Sequence, residues 1–534
     1  MGKKSKKKKA GKLKKAALAT AVAASSLAGS SWTAKHATAV EHAFRVLRAK
    51  YDAAATTDDN RKHWSGADDL SARAANSREV RQILRRRSRY EVANNSYAKG
   101  VVLTMANATI GSGPRLQVTT GLGREIDRQI ERRWSEWAES VDLAGKLHTL
   151  RQSKCQDGEA FAVLRTNPVH ESPIQLDVQI IEADQVTTPD ASLVGDEADR
   201  TVDGIVLDEW NNPVAYHVLD QHPGDATGKL FVTARPIAAR FVLHWFRCDR
   251  PGQVRAVPEI TPALPLFALL RDFMLATLDA AKFAAGQTGV LATDAPPGGE
   301  AEELDPLDTF DTDRNMLTTL PAGWKLQQMV AEHPNSTMEM FTNLVLREIG
   351  RCLLIPRAVV TGDSSGYNFS SGKLDDRSFW RSIHVERRQC QRVVLNRIFR
   401  AWLADARVTP GVLPAGVPDP STWNWTWMWD AADSIDPVKD STAQLNRLKA
   451  GLTSPSLEAA RAGEDIDDVH EAYARDLGVS VEELRAAIFR GLFGGGTMNT
   501  GENESEDDES DDENDDTDSA PARRRRPSLQ PSRN

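Results

Sequence analysis

Five consecutive residues, Gly362-Asp363-Ser364-Ser365-Gly366, spell G-x-S-x-G. At that spacing a serine held on a strained strand-to-helix turn can become a nucleophile for acyl transfer. The chemistry needs a strand before the serine and a helix directly after it. Here Tyr367, Asn368, Ser370 and Ser371 continue a polar run, and the downstream His384 and His470 lack neighbours suited to a triad. Gly372-Lys373 resembles the end of a phosphate loop, but Leu374 stands where a magnesium-binding Ser or Thr is needed. Cys155, Cys248, Cys352 and Cys390 are far apart, with no C-x-x-C and no histidine spaced for zinc. They read as buried thiols of a reducing compartment. The sequence therefore assigns no catalytic residue, no cofactor and no metal ligand. A serine hydrolase using Ser364 stays open as an alternative reading.

Charge is the second chemical resource. The first fifteen residues hold nine Lys and no acid, while residues 501–534 hold twelve acids against five Arg, including Arg523 to Arg526. The formal net charge is −8, and the tails nearly cancel, so the body between them is acidic. Tight neutralisation of nucleic-acid phosphates needs clustered Lys and Arg. Arg85, Arg86, Arg87 and Arg89 form such a cluster, read here as a solvated helix face. A DNA-binding protein using these basic clusters is the other alternative. The run AALATAVAASSLA behind the lysines has the outline of a signal peptide. With only Leu18, Val22 and Leu27 as strong apolar residues, it reads as a flexible basic arm. No later run reaches the roughly 18 apolar residues of a membrane span.

These side chains need elements to hold them. Helical periodicity runs from Val40 to Tyr51, from Ser77 to Asn107 and from Gly123 to Leu150. Ile126, Ile130, Trp134, Trp137 and Val141 form a core-facing stripe of the last. Phe161 to Leu164, Ile174 to Ile181, Thr201 to Leu207 and Val214 to Leu219 read as strands, with Asn211-Asn212-Pro213 as a hairpin turn. Val242 to Phe246 ends a strand, and Arg250-Pro251-Gly252-Gln253 makes a turn with Gly free to take positive φ. A strongly apolar helix then runs to Gly286. An irregular stretch follows, with a strand pair around Met316 to Leu320 and Trp324 to Val330. A capped helix starts at Ser336. The polar loop Val359 to Gly372 leads into a long helix from about Lys373 to Ala404, with seven Arg between Arg377 and Arg400. Trp423, Trp425, Trp427 and Trp429 alternate as in an edge strand. Two or three short helices occupy residues 437–492, and the acidic tail reads as disordered.

Several of these pieces, in order, resemble the lambda-type portal family of tailed bacteriophages. They are Asn94 to Ala98 leading to Ile110-Gly111-Ser112-Gly113, and Trp134 and Trp137 followed by Gly158-Glu159. Asp203-Gly204-Ile205, Pro213 to His217 and His222-Pro223-Gly224 follow. The most distinctive is Arg250-Pro251-Gly252-Gln253-Val254-Arg255. Asp436 to Lys439 and Gly463-Glu464-Asp465 close the series. Ala256 departs from the Gly expected in many relatives, and both charged tails lie outside the shared part.

The resemblance implies an α+β, mainly helical portal fold of wing, stem, clip and crown that assembles into a ring. It maps residues 1–40 to a basic arm, 41–257 to an N-terminal helical and β-rich wing, and 258–286 to the first stem helix. Residues 287–335 become the clip, 336–356 the second stem helix and 357–372 a tunnel loop. Residues 373–436 become the long wing helix and Trp strand, 437–495 a crown and 496–534 the tail. The implied role is a non-enzymatic dodecameric channel at one capsid vertex, for packaging and ejection of double-stranded DNA. The implied partners are the large terminase subunit, major capsid and scaffold proteins and head-completion proteins, with no membrane. The protein would assemble in the host cytoplasm and reside in the virion. Asp363, Ser364, Ser365, Tyr367, Asn368, Ser370 and Ser371 would line the DNA channel, with the arginines of the long helix in inter-subunit salt bridges. Arg250, Pro251, Gly252, Gln253 and Arg255 would be structural.

Overall fold

Asn95 shows how a short polar side chain divides the chain. Its amide oxygen accepts from the backbone N–H of Tyr97 (3.0 Å) and Ala98 (3.4 Å) while its own backbone is extended. That is a helix N-cap, so the expected single helix from Ser77 to Asn107 is two: α1 (Arg78–Asn94) and α2 (Ser96–Ile110). In this computed structural model the described residues are 57–58, 60–188, 200–225, 233–286, 290–293, 324–327, 336–366, 368–432 and 436–493. They fall into two compact units: Met1–Gly113 with Val118–Asn424, and Pro114–Gln117 with Trp425–Asn534. The expected helix from Val40 to Tyr51, the basic arm and the acidic tail lie outside the described residues.

In chain order the next elements are β1 (Arg115–Thr119), α3 (Arg124–Ser140) and α4 (Leu143–Asp157). The helix expected from Gly123 to Leu150 is broken because Asp142 takes φ 49° and caps α4 through Gly145 N–H. The α3 stripe is where it was expected: Ile130, Trp134, Trp137 and Val141 are buried.

A three-stranded antiparallel sheet has β2 (Glu159–Thr166) between β3 (Leu176–Ile181) and β8 (Val242–Phe246). A four-stranded antiparallel sheet runs β4 (Thr201–Val202), β5 (Ile205–Leu207), β6 (Pro213–Leu219) and β7 (Ala234–Ala238). Thr201 to Leu207 is thus a hairpin rather than one strand. Asp203 (φ 41°) and Gly204 (φ 82°) turn it, and both positive angles suit a tight two-residue turn. Phe161, Val163, Ile205, Tyr216, Val218 and Val242 share one core.

The helical part of this unit centres on α5 (Leu264–Gly286) and α6 (Ser336–Arg351). Phe267 and Leu270 of α5, Leu346 and Ile349 of α6 and Val101 and Val102 of α2 belong to one core. Between the two helices, β10 (Trp324–Gln327) pairs antiparallel with β9 (Val290–Thr293). The expected partner for that strand, Met316 to Leu320, lies outside the described residues. After α7 (Arg357–Thr361) the long helix begins at Phe369, four residues earlier than expected. It comprises α8 (Phe369–Cys390), a wide π turn (Gln391–Leu395) and α9 (Asn396–Val408). Phe399 and Trp402 pack on Trp134, with ring centroids 5.3 and 5.7 Å away.

In the smaller unit, β11 (Asn424–Met428) pairs with β1 in a two-stranded sheet. Four short helices follow among the described residues, more than expected: α10 (Pro437–Lys449), α11 (Pro455–Arg461), α12 (Ile466–Leu477) and α13 (Val481–Phe493). Asp436 and Ser454 cap the first two, each ahead of a proline that fits the first helical turn.

Candidate functional site

The polar loop is shorter and more ordered than its composition suggests. α7 stops at Gly362, which takes φ 69°. The Thr361 hydroxyl donates to Arg357 O (2.9 Å) and accepts from Asp363 N–H (3.2 Å). The Asp363 carboxylate accepts from the Ser365 backbone N–H and hydroxyl, both at 2.8 Å. Those two bonds, backbone first, hold its carboxyl below the usual range. Arg357 Nη2 donates to Ser365 O (3.0 Å). Asn368 caps α8, its side chain accepting from Ser371 N–H at 2.8 Å. Ser370 and Ser371 therefore lie in the first turn of α8, not in a loop.

Asp363, Ser364 and Ser365 are exposed. Tyr367 lies outside the described residues. Ser364 follows a short helix and precedes a turn closed by Gly366 (φ 74°), so the strand-to-helix context of a nucleophile elbow is not present. What the loop presents is hydroxyls, amides and one carboxylate, which offer hydrogen bonds but little cationic attraction.

The close packing that fixes the loop's start comes from Gly350. A Cβ there would lie 2.6 Å from Val360 Cγ2 and 2.7 Å from Ile355 O. Only glycine lets α7 approach α6 so closely.

The signature turn does separate jobs residue by residue. Gln253 N–H donates to Arg250 O (3.2 Å), with Pro251 and Gly252 (φ 78°) at the central positions of a type II turn. The Gln253 side chain accepts from the N–H groups of Asp249 (2.9 Å) and Arg250 (3.1 Å). Arg250 reaches out to Leu70 O (3.0 Å), and Arg73 to Gly252 O (3.4 Å), so the turn holds the segment ahead of α1.

Arg255 points inward and is buried. Its guanidinium binds Glu159 (2.6 to 3.0 Å) and the backbone oxygens of Val186 and Ala183. Glu159 also accepts from Arg85 (3.1 Å) and faces His244 Nε2 at 3.2 Å. Arg85 continues to Asp184 (2.8 Å), and Arg89 forks onto Asp157 at 2.8 and 2.9 Å. Burial alone would raise the Glu159 carboxyl, but Arg255 and His244 hold it well below its ordinary range. Burial pushes His244 the other way, below 6.5, despite Glu159. The basic cluster read as a solvated helix face is therefore split. Arg85 is buried and Arg89 half-buried in ion pairs, while Arg86 and Arg87 are exposed.

A second buried network was not foreseen. Arg151 pairs with Glu259 (2.9 Å), and Lys154 with Glu259 (3.4 Å), Glu386 and Gln389 Oε1 (3.1 Å). Arg151, Lys154 and Arg247 bring the Glu259 carboxyl down to about 2 against the effect of burial. One signal was available in the sequence. Glu386 falls on the apolar stripe between Ile383 and Cys390, where a carboxylate has to find a cation. Among the cysteines the expectation of burial holds for Cys155 and Cys390, while Cys248 is exposed. Glu182, Asp184 and His222 bring three potential metal ligands together, but Arg85 and Arg89 already occupy the carboxylates.

Residues 57–387 match the model of the phage portal proteins, lambda family, and the chain belongs to that family. It is 25% identical over 431 residues to a probable portal protein of Halomonas phage phiHAP-1, covering 74% of this chain and 80% of the relative. Among solved structures it is similar to the neck of an empty GTA particle, at 13% identity and a TM-score of 0.40, covering 70% of this chain and 92% of that one. An HK97 family phage portal protein from Corynebacterium diphtheriae is similar at 12% identity and a TM-score of 0.27, covering 66% and 97%. No helix among the described residues is long and apolar enough to cross a membrane.

Proposed function

We propose that twelve copies of this chain close into a ring at one capsid vertex and conduct double-stranded DNA during packaging and ejection. The observation that carries this is the apolar surface of α5 and α6. On α5, Leu269, Leu275 and Leu278 are 64%, 54% and 52% exposed, and on α6 Met340 and Leu344 are 68% and 58% exposed. A helix this apolar on several faces is ordinarily buried, and large exposed apolar patches mark interaction sites. A head-to-tail contact that closes on itself covers such a face on every copy.

In this reading residues 258–286 and 336–356 are the stem. Residues 287–335 form the clip that meets terminase and head-completion proteins. Residues 357–372 face the bore, where Asp363, Ser364, Ser365, Tyr367, Asn368, Ser370 and Ser371 touch passing DNA without gripping it. Residues 41–257 and 373–436 form the wing, and 437–495 the crown. The site is a product of symmetry: one loop per copy, repeated around a hole.

Light scattering of the purified chain, with negative-stain images of the same fraction, tests the proposal. Twelve copies of a 58.7 kDa chain give about 700 kDa and a central hole. A compact dimer without a hole overturns it.

A further inference from the structure

Helix α1 is built with its charges inward. It buries Arg81, Arg85, Ser88, Glu91 and Val92, while Val80, Ile83 and Tyr90 are exposed. The inward charges are paired, Arg81 with Asp203, Arg85 with Glu159 and Asp184, and Glu91 with Arg271 of α5. At about 100° per residue the three exposed apolar side chains fall within about 80° of one another, in a single row about 15 Å long. A helix face left to water ordinarily carries polar side chains, so an aligned apolar row points to something that covers it. Its charged neighbours are the exposed Glu79 at the start, the exposed Arg86 and Arg87 further along, and Arg271, whose guanidinium lies 5.4 Å from the centre of the Tyr90 ring.

The chain carries a matching segment outside the described residues. In the helix that periodicity predicts for Val40 to Tyr51, the side chains of Val40, Phe44, Leu47 and Tyr51 fall within about 60° and span about 16 Å. The two rows agree in length and width. Charge selects their direction. Laid antiparallel, Glu41 comes beside Arg86 and Arg87, and Arg48 and Lys50 come beside Glu79; laid parallel, each meets its own sign. The tether favours this segment over a second copy. Leu70 lies nineteen positions after Tyr51, its carbonyl is held by Arg250, and α1 begins eight positions further on. Antiparallel docking leaves Tyr51 at the end where the chain enters α1, so the connection has little distance to span, and tethering raises the effective concentration of the segment at the row.

We propose that residues 40–51 dock as an antiparallel helix on the outer row of α1 in the same chain. The contact covers Val80, Ile83 and Tyr90 and fixes the point from which the lysine-rich arm departs. It needs no second copy, so it stands apart from the portal reading.

The test uses the full chain with Cys248→Ser, which removes the exposed native thiol. Leu47→Cys is combined with Ile83→Cys, the chain is oxidised mildly, and the linked peptides are identified by mass spectrometry and on a non-reducing gel. The expected result is a disulfide within one chain. Ala49→Cys with Ile83→Cys, on the far side of the segment, should stay reduced. Three outcomes overturn the proposal. Both pairs link equally, as a loose tether would; or neither links; or the first pair gives a ladder of linked chains, so that the row is a contact between copies. A second measurement needs no cysteine. Val80→Asp with Ile83→Asp should speed trypsin cleavage after Arg45 and Arg48 by about tenfold, because cleavage follows the population of the undocked segment. Unchanged cleavage, with circular dichroism showing an intact fold, would also overturn it.

Discussion

Glu159 faces Arg255, Arg85 and His244 with no exposure to solvent. Glu159→Gln keeps the shape and removes the anion, leaving two buried guanidiniums short of a partner. Breaking a buried pair in this way is expected to cost about 3–5 kcal/mol, read as a lower urea midpoint with an unchanged slope. A loss under about 1 kcal/mol would mean that water reaches the cluster. Acid should act on both buried networks. Glu259 is depressed from 4.5 to about 2, so its contribution is present above the unfolded value and lost as pH falls toward 2. His244 is depressed below 6.5, so the unfolded chain takes up its proton first and the fold begins to lose stability below that pH. Both effects have the same sign. Thermal melts between pH 7 and 3 should fall steadily, and a flat profile over that range would contradict both assignments.

At the scale of elements, two glycines near the loop separate close packing from backbone freedom. Gly350→Ala puts a Cβ against Ile355 O and Val360, and overpacking of this kind is expected to cost about 1–3 kcal/mol. Gly362→Ala meets nothing within 4 Å and suffers only its positive φ, about 1 kcal/mol. Chemical denaturation of the two variants should rank them in that order; the reverse order would mean that α7 can shift away from α6. The elements themselves were largely legible in the sequence. The α3 stripe, the turn at Arg250-Pro251-Gly252-Gln253 and the hairpin at Asn211-Asn212 carry local signals that need no tertiary contact. Breaks at Asn95, Asp142 and Asp203 were missed because Asn and Asp tolerate both helix and turn, and only capping bonds decide between them. The arginine cluster was misread for a related reason. Periodicity shows that Arg85 and Arg89 lie one turn apart, but not that Glu159, Asp184 and Asp157 wait on the face they share.

For the whole molecule, the exposed leucines of α5 should decide its state of assembly. Leu275→Asp with Leu278→Asp leaves the buried part of the helix, Phe267 and Leu270, untouched. The variant should fold as before by circular dichroism yet scatter light as a single chain, and a ring that survives would place the subunit contact elsewhere. Within one subunit, the wide turn at Gln391–Leu395 has a consequence of its own. Phe379 and Trp402 are 23 residues apart, and at about 100° per residue an unbroken helix would leave them about 140° out of phase. The turn takes in roughly one extra residue, and that single insertion winds the error back to about 40°. Both ends of the rod can then face the same side, Phe379 in the core with Ile383 and Trp402 against Trp134. The turn works as a phase corrector: deleting one residue within it would restore a regular helix and rotate everything downstream out of its seat.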